Sequence, residues 1–288
     1  MTVSSLVALA LISAPVFTAP DRWTAAQTPY QIHGDSYYVG SVGLAAILIT
    51  GDDGHVLVDV PMDQNVAPLL QNIRALGFEP NDIHTIVFSH AHFDHAGGAA
   101  RMIAATGAQV YASAAQAVAL RSGGIDPKDP QFGMAGNFPA VTNVQVYADG
   151  EAVSVGAVRL IGHATPGHTP GSTTWSWRSC EQDHCINMVY ADSLTAIGSD
   201  SYQYSDPKYP ERLQDFRAGL QSIAELPCDL LISPHPEASD YDKRRKRQLA
   251  GEPHALLDKN ACRTYAEKAG KRLNRVIERE RAASAEPS

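Results

Sequence analysis

The spacing of apolar and polar positions changes several times along the chain, and each change predicts an element. Ala45-Ala46-Ile47-Leu48-Ile49-Thr50 and His55-Val56-Leu57-Val58-Asp59-Val60 are separated by Gly51-Asp52-Asp53-Gly54. Two apolar runs around an Asp- and Gly-rich turn predict a β-hairpin. Thr85-Ile86-Val87-Phe88 and Leu230-Leu231-Ile232 are short continuous apolar runs, read as buried strands, and Ala108 to Ala112 reads as another. Ala96-Gly97-Gly98-Ala99-Ala100 begins a helix of small residues. From Leu256 to Arg281, Leu257, Ala261, Tyr265, Ala269 and Val276 recur at helical spacing with charges between them, which predicts a C-terminal helix packed on the core.

Two stretches have no such period. Ser122 to Met134 is rich in Gly and Pro and reads as a long loop, a feature that is often functional. Gln131 and Phe132 on it are candidate substrate contacts. Residues Ser5 to Phe17 are apolar and small, too short to span a membrane and suited to a secretory signal. The expected organisation is a signal peptide over 1–19 and one domain over 20–288, although no Lys or Arg precedes the apolar run. With 44% hydrophobic and 19% charged residues, the chain can bury one large core, and its coarse order is αββα: a two-layered sheet between helices. A net charge of −8 argues against nucleic acid as the main partner. The basic run Lys243 to Arg247 is read as a solvated helix face.

His90-Ala91-His92-Phe93-Asp94-His95 places four metal-binding side chains in six residues directly after the apolar run ending at Phe88. Imidazole nitrogens with a carboxylate oxygen suit Zn²⁺. His90 and His92, two apart at a strand end, can point the same way, while Asp94 and His95 turn toward a neighbouring position, so one loop can serve two metals. Farther on, His168 lies in Pro166-Gly167-His168-Thr169-Pro170-Gly171, a turn built from proline and glycine, whereas His163 follows a strand and lacks such flanks. His235 again follows an apolar strand, in Ser233-Pro234-His235-Pro236. Four cysteines allow three pairings; Cys180 and Cys185 can close a hairpin, and a Cys180-His184-Cys185 metal site would crowd its ligands.

The pattern H-x-H-x-D-H after an apolar strand, followed by His168 and His235 in order, resembles the metallo-β-lactamase superfamily over most of the chain. The resemblance implies the αββα fold of that family and two zinc ions per chain. The first is held by His90, His92 and His168, the second by Asp94, His95 and His235. It also implies that Asp59 supports the metal loop from beneath, and that Cys228 pairs with Cys262. Asp192-Ser193-Leu194-Thr195 and Ser-Pro-His-Pro look like the third subclass of class B β-lactamases, in which Ser193 and Thr195 would receive the substrate carboxylate and Gln131 would border the site. Glyoxalase-II-like members instead use an aspartate near Asp192 to bridge the metals.

The function implied is zinc-dependent opening of the β-lactam amide in the periplasm, with Asp94 orienting the attacking water and no obligate protein partner or membrane. A lactone or thioester hydrolase, or a non-catalytic zinc protein, are the other classes; the complete ligand set argues against the latter. A serine β-lactamase is disfavoured, because Ser205-Asp206-Pro207-Lys208 matches S-x-x-K only with a proline that interrupts the helix this motif needs.

Overall fold

The computed structural model describes residues 18–285. The signal-peptide expectation therefore falls almost entirely outside the described residues. Two sheets face each other. The first contains β1 (Tyr30–His33), β2 (Ser36–Tyr38), β3 (Ile47–Ile49), β4 (His55–Val58), β5 (Ile83–Val87), β6 (Gln109–Ala112) and β7 (Val144–Val146), in that spatial order. β1 to β4 run antiparallel and β4 to β7 parallel. The parallel strands need crossovers, and α1 (Val66–Ala75), α3 (Ala99–Thr106) and α4 (Ala114–Arg121) supply them on one face; α2 (Phe93–Ala96) is a single turn. The second sheet has the order β12, β11, β10, β9, β8, from β8 (Ala152–Val155), β9 (Val158–Ala164), β10 (Thr173–Glu181), β11 (His184–Tyr190) and β12 (Leu230–Ile232). Its outer face carries α5 (Pro210–Glu225) and α7 (Ala261–Ala285), while α6 (Tyr241–Leu249) lies between β12 and α7 in the chain.

Three apolar layers follow from this arrangement. Leu48, Leu57, Ile86 and Phe88 pack under α1, α3 and α4; Ile47, Val58, Trp175 and Tyr190 fill the space between the sheets; Val189, Leu231, Phe216 and Tyr265 pack under α5 and α7. This is the αββα sandwich expected from the sequence. The hairpin, the strand before His90 and the strand before His235 all form, and residues 122–143 contain no helix or strand.

Three details differ from the sequence reading. Asp94 and His95 belong to α2, which His92 precedes, so the two donors project from a helical turn and not from an open loop. The C-terminal helix starts at Ala261, after Leu256 and Leu257. The basic run is only partly solvated: Arg244 is buried and donates to the carbonyls of Ser239 (3.0 Å) and Leu231 (2.7 Å), and Arg245 lies 3.7 Å over the Tyr30 ring. Cys180 pairs with Cys185 across β10 and β11, and Cys228 with Cys262, which ties the approach to β12 to the first turn of α7.

Candidate metal centre

The histidine-rich segment is held in the seam between the sheets. The Phe88 carbonyl at the end of β5 accepts from Trp175 Nε1 (2.9 Å) and Gln116 Nε2 (3.1 Å), and the Ser89 carbonyl accepts from the Thr173 amide (2.8 Å). Asp59, fully buried and at φ 62°, lies beneath: its carboxylate accepts from the Ser89 amide (2.7 Å), the Ser89 hydroxyl (2.8 Å) and the Tyr190 hydroxyl (2.8 Å). An L-residue in the left-handed region is disfavoured, and three hydrogen bonds offset that strain.

His90, His92 and His168 converge, with one ligand atom of each within 4.8 Å of the others. Each ring is anchored by one nitrogen. His90 Nδ1 donates to Asp192 Oδ1 (2.8 Å), His92 Nε2 to Asp129 Oδ2 (2.9 Å), and His168 Nδ1 to the Thr195 carbonyl (2.9 Å). These partners assign the tautomers and leave His90 Nε2, His92 Nδ1 and His168 Nε2 as lone-pair donors, the arrangement in which metal-binding imidazoles are oriented from behind. His90 Nε2 is buried with no hydrogen-bond partner, a costly state that a metal bond would relieve. Burial holds the His90 ring well below the usual imidazole range and pushes His168 down to about 3, so both stay neutral.

His95 Nε2, His235 Nε2 and Asp94 Oδ2 form the second convergence. The separations are 3.2 Å between the two imidazoles, 3.2 Å from His95 to Asp94 and 3.3 Å from His235 to Asp94. Tetrahedral bonds of about 2.0–2.1 Å would put such donors about 3.3 Å apart. The second donor set therefore fits a divalent metal by its spacing, and the first fits by its chemistry, three converging imidazoles, one with a buried unpartnered nitrogen. Burial alone would raise the Asp94 carboxyl, but His95 and the bonds to His235 and His95 hold it well below the carboxylate range. Burial likewise opposes charge on His95, yet Asp94 and Asp59 push it up to about 10; its Nδ1 lies 3.5 Å from Asp59 Oδ2. A proton shared among these groups is what a cation would replace.

The remaining expected residues are all near. Ser193 is buried beside Asp192. Thr195 is half-buried, and its hydroxyl, expected to face substrate, also lies 2.9 Å from His168 Nδ1. Gln131 Nε2 lies 3.5 Å from His168 Nε2, while Phe132 is exposed. His163 bonds Ser176 Oγ at 2.7 Å and takes no part. Gly167 permits the His168 turn: at φ 147°, a Cβ there would lie 2.2 Å from the Phe216 ring. Three residues were not singled out from sequence. Asp129 sits in a loop with no period, and Trp23 and Phe93 line the edge by ring contact, Trp23 lying 5.3 Å from His235.

The metallo-β-lactamase superfamily profile matches residues 42–176. Rm3 metallo-β-lactamase superposes with a TM-score of 0.87 at 41% identity, covering 90% of this chain and 97% of that one. The chain belongs to the metallo-β-lactamase superfamily. Within it the likeness is to subclass B3: MEM-A1, a subclass B3 enzyme from a soil metagenome library, superposes with a TM-score of 0.87 at 41% identity, covering 91% of this chain and 99% of that one. MIM-1 from Novosphingobium pentaromativorans gives 0.85 at 41% identity over 92% and 94%. The hydroxyacylglutathione hydrolase of Anaeromyxobacter dehalogenans (strain 2CP-C) is 34% identical over 188 residues, 65% of this chain. This chain spans 58% of that relative's length.

Proposed function

We propose that this chain hydrolyses the β-lactam amide bond with two zinc ions, and that it confers resistance to such antibiotics. His90, His92 and His168 would hold one ion, and Asp94, His95 and His235 the other. Bound zinc supplies a Lewis acid for the carbonyl and lowers the pKa of water from 15.7 toward ~7. The ionised Asp94 carboxylate accepts a hydrogen bond from the attacking water and orients it. The hydroxyls of Ser193 and Thr195 donate to the carboxylate of the substrate, and the Gln131 amide contacts it from the loop side. No side chain needs to form a covalent acyl intermediate.

The observation that carries the β-lactam reading is the place of Asp192. Its Oδ1 meets His90 Nδ1, the nitrogen opposite the free Nε2, which supports a role behind the ligand rather than as a bridge between metals. The alternative, thioester hydrolysis, is favoured by the hydroxyacylglutathione hydrolase likeness. The test is turnover of a carbapenem and of a hydroxyacylglutathione thioester by the same zinc-loaded sample. Carbapenem hydrolysis abolished by chelator and restored by zinc is expected; thioester turnover alone would make the alternative correct. Export to the periplasm is part of the proposal, supported by the apolar residues 5–17 and by two disulfides, which persist in oxidising compartments. No helix of the described residues is long and apolar enough to cross a membrane.

A further inference from the structure

We propose that Asp129 is a positioning residue that sets the His92 tautomer and, through the same carboxylate, clasps the 122–138 loop over the metal centre. The inference rests on the metal reading above for its affinity arm alone.

Asp129 is buried on a loop that exposes Pro127, Lys128, Phe132 and Met134 on either side of it. Burying a carboxylate is costly unless it is bonded, and both of its oxygens are. Oδ2 accepts from His92 Nε2 at 2.9 Å, and Oδ1 accepts from the Gln131 amide at 2.7 Å. The first bond keeps the proton on Nε2 and leaves Nδ1 to face the cleft, whereas the neighbouring His90 presents Nε2. That alternation lets two histidines only two residues apart, with rings 4.7 Å apart and nearly perpendicular, aim at one point. The second bond fixes the turn carrying Gln131, whose side chain reaches to 3.5 Å from His168 Nε2. The loop is seated at two further places: the Pro130 carbonyl accepts from the Ser199 amide (2.7 Å), and Gly136 lies against Phe93, next to His92. One carboxylate thus joins a ligand's proton to the loop at the mouth of the cleft. Loosening the loop loosens His92, and the reverse holds as well.

The test compares wild type with Asp129→Ala and Asp129→Asn. The first readout is the ring nitrogens of His92 by ¹⁵N NMR in metal-free protein. Wild type should show the Nε2–H tautomer and Asp129→Ala should lose that preference; the same tautomer in both would overturn the proposal. The second is zinc affinity by competition with a chromophoric chelator, expected to fall about 10- to 100-fold, as for removal of other partners behind metal-bound histidines. Wild-type affinity in both variants would also overturn it. The third is limited proteolysis, in which cleavage within residues 122–138 should accelerate in both variants. Asp129→Asn keeps the shape, so folding is preserved if Asp129→Ala fails to fold, but its amide cannot accept from both His92 and Gln131. If wild type itself took no zinc, the metal reading would fail, and the tautomer and proteolysis would still decide the role of Asp129.

Discussion

Asp94 combines two features that rarely coexist, burial and a firmly held negative charge, because His95 and His235 surround it. Asp94→Asn keeps the volume and removes the charge. It is expected to lower turnover by at least about 100-fold, in the range of lost proton-transfer groups, with the far-UV CD spectrum unchanged. Near-native turnover would remove Asp94 from the mechanism. Ser193 and Thr195 should behave differently from each other. Ser193→Ala is expected to raise KM for a β-lactam by about 10- to 150-fold, from loss of one hydrogen bond to a charged group, with zinc content intact. Thr195→Ala deletes a hydroxyl that also meets His168 Nδ1, but the Thr195 carbonyl at 2.9 Å stays as acceptor. Its zinc affinity should therefore drop less than tenfold, and a complete loss of metal would show that the hydroxyl, not the carbonyl, orients His168.

At the scale of elements, the two disulfides close loops of very different length, with sequence separations of 5 for Cys180–Cys185 and 34 for Cys228–Cys262. Chain-entropy arguments assign roughly 2 kcal/mol to the first and roughly 3–4 kcal/mol to the second. Replacing Cys228 and Cys262 by serine should lower stability more than replacing Cys180 and Cys185, measured as the shift in urea midpoint at constant slope. The larger effect should extend to the site, because Tyr265 on α7 donates to the Asp192 carbonyl at 3.1 Å. An equal loss from both pairs would show that α7 is held by its apolar face alone. The hairpin, the strands and the outlines of α7 were legible because each has a single period or a turn of restricted chemistry. The turn Phe93–Ala96 was not, since a four-residue helix has too few positions to display a period.

The sandwich places three phenols wholly inside, Tyr38, Tyr190 and Tyr241, within the layer between the sheets. Burial raises each well above the ordinary tyrosine value, so the folded state keeps protons that the unfolded chain releases. Below about pH 10 both states are protonated and stability does not respond to these groups. Above it the unfolded state ionises first, and stability should fall by up to about 4 kcal/mol per pH unit for the three together. Urea melts between pH 9 and 11.5 measure the slope, to which Tyr30, Tyr147, Tyr202, Tyr204 and Tyr265 also contribute, and Tyr241→Phe should reduce it by up to about 1.4 kcal/mol per pH unit. An unchanged slope would mean that other groups drive alkaline unfolding.

The local features follow from the chain alone: apolar runs of strand length, an Asp-Gly turn and a donor-dense segment after a strand. Each depends on neighbours in sequence. The six convergent side chains were named from the chain too: His90, His92, Asp94 and His95 by their density after a strand, and His168 and His235 as their partners by the family resemblance. The partners behind them belong to the tertiary structure. Asp129 comes from a loop without a period, Asp192 reaches His90 from 102 residues away, and Thr195 reaches His168 from 27. Nothing local distinguishes such an acid or hydroxyl from a solvated one. Only packing the two sheets together removes the water and makes the imidazole nitrogen its remaining partner, and that selects which ring atom each histidine presents to the cleft.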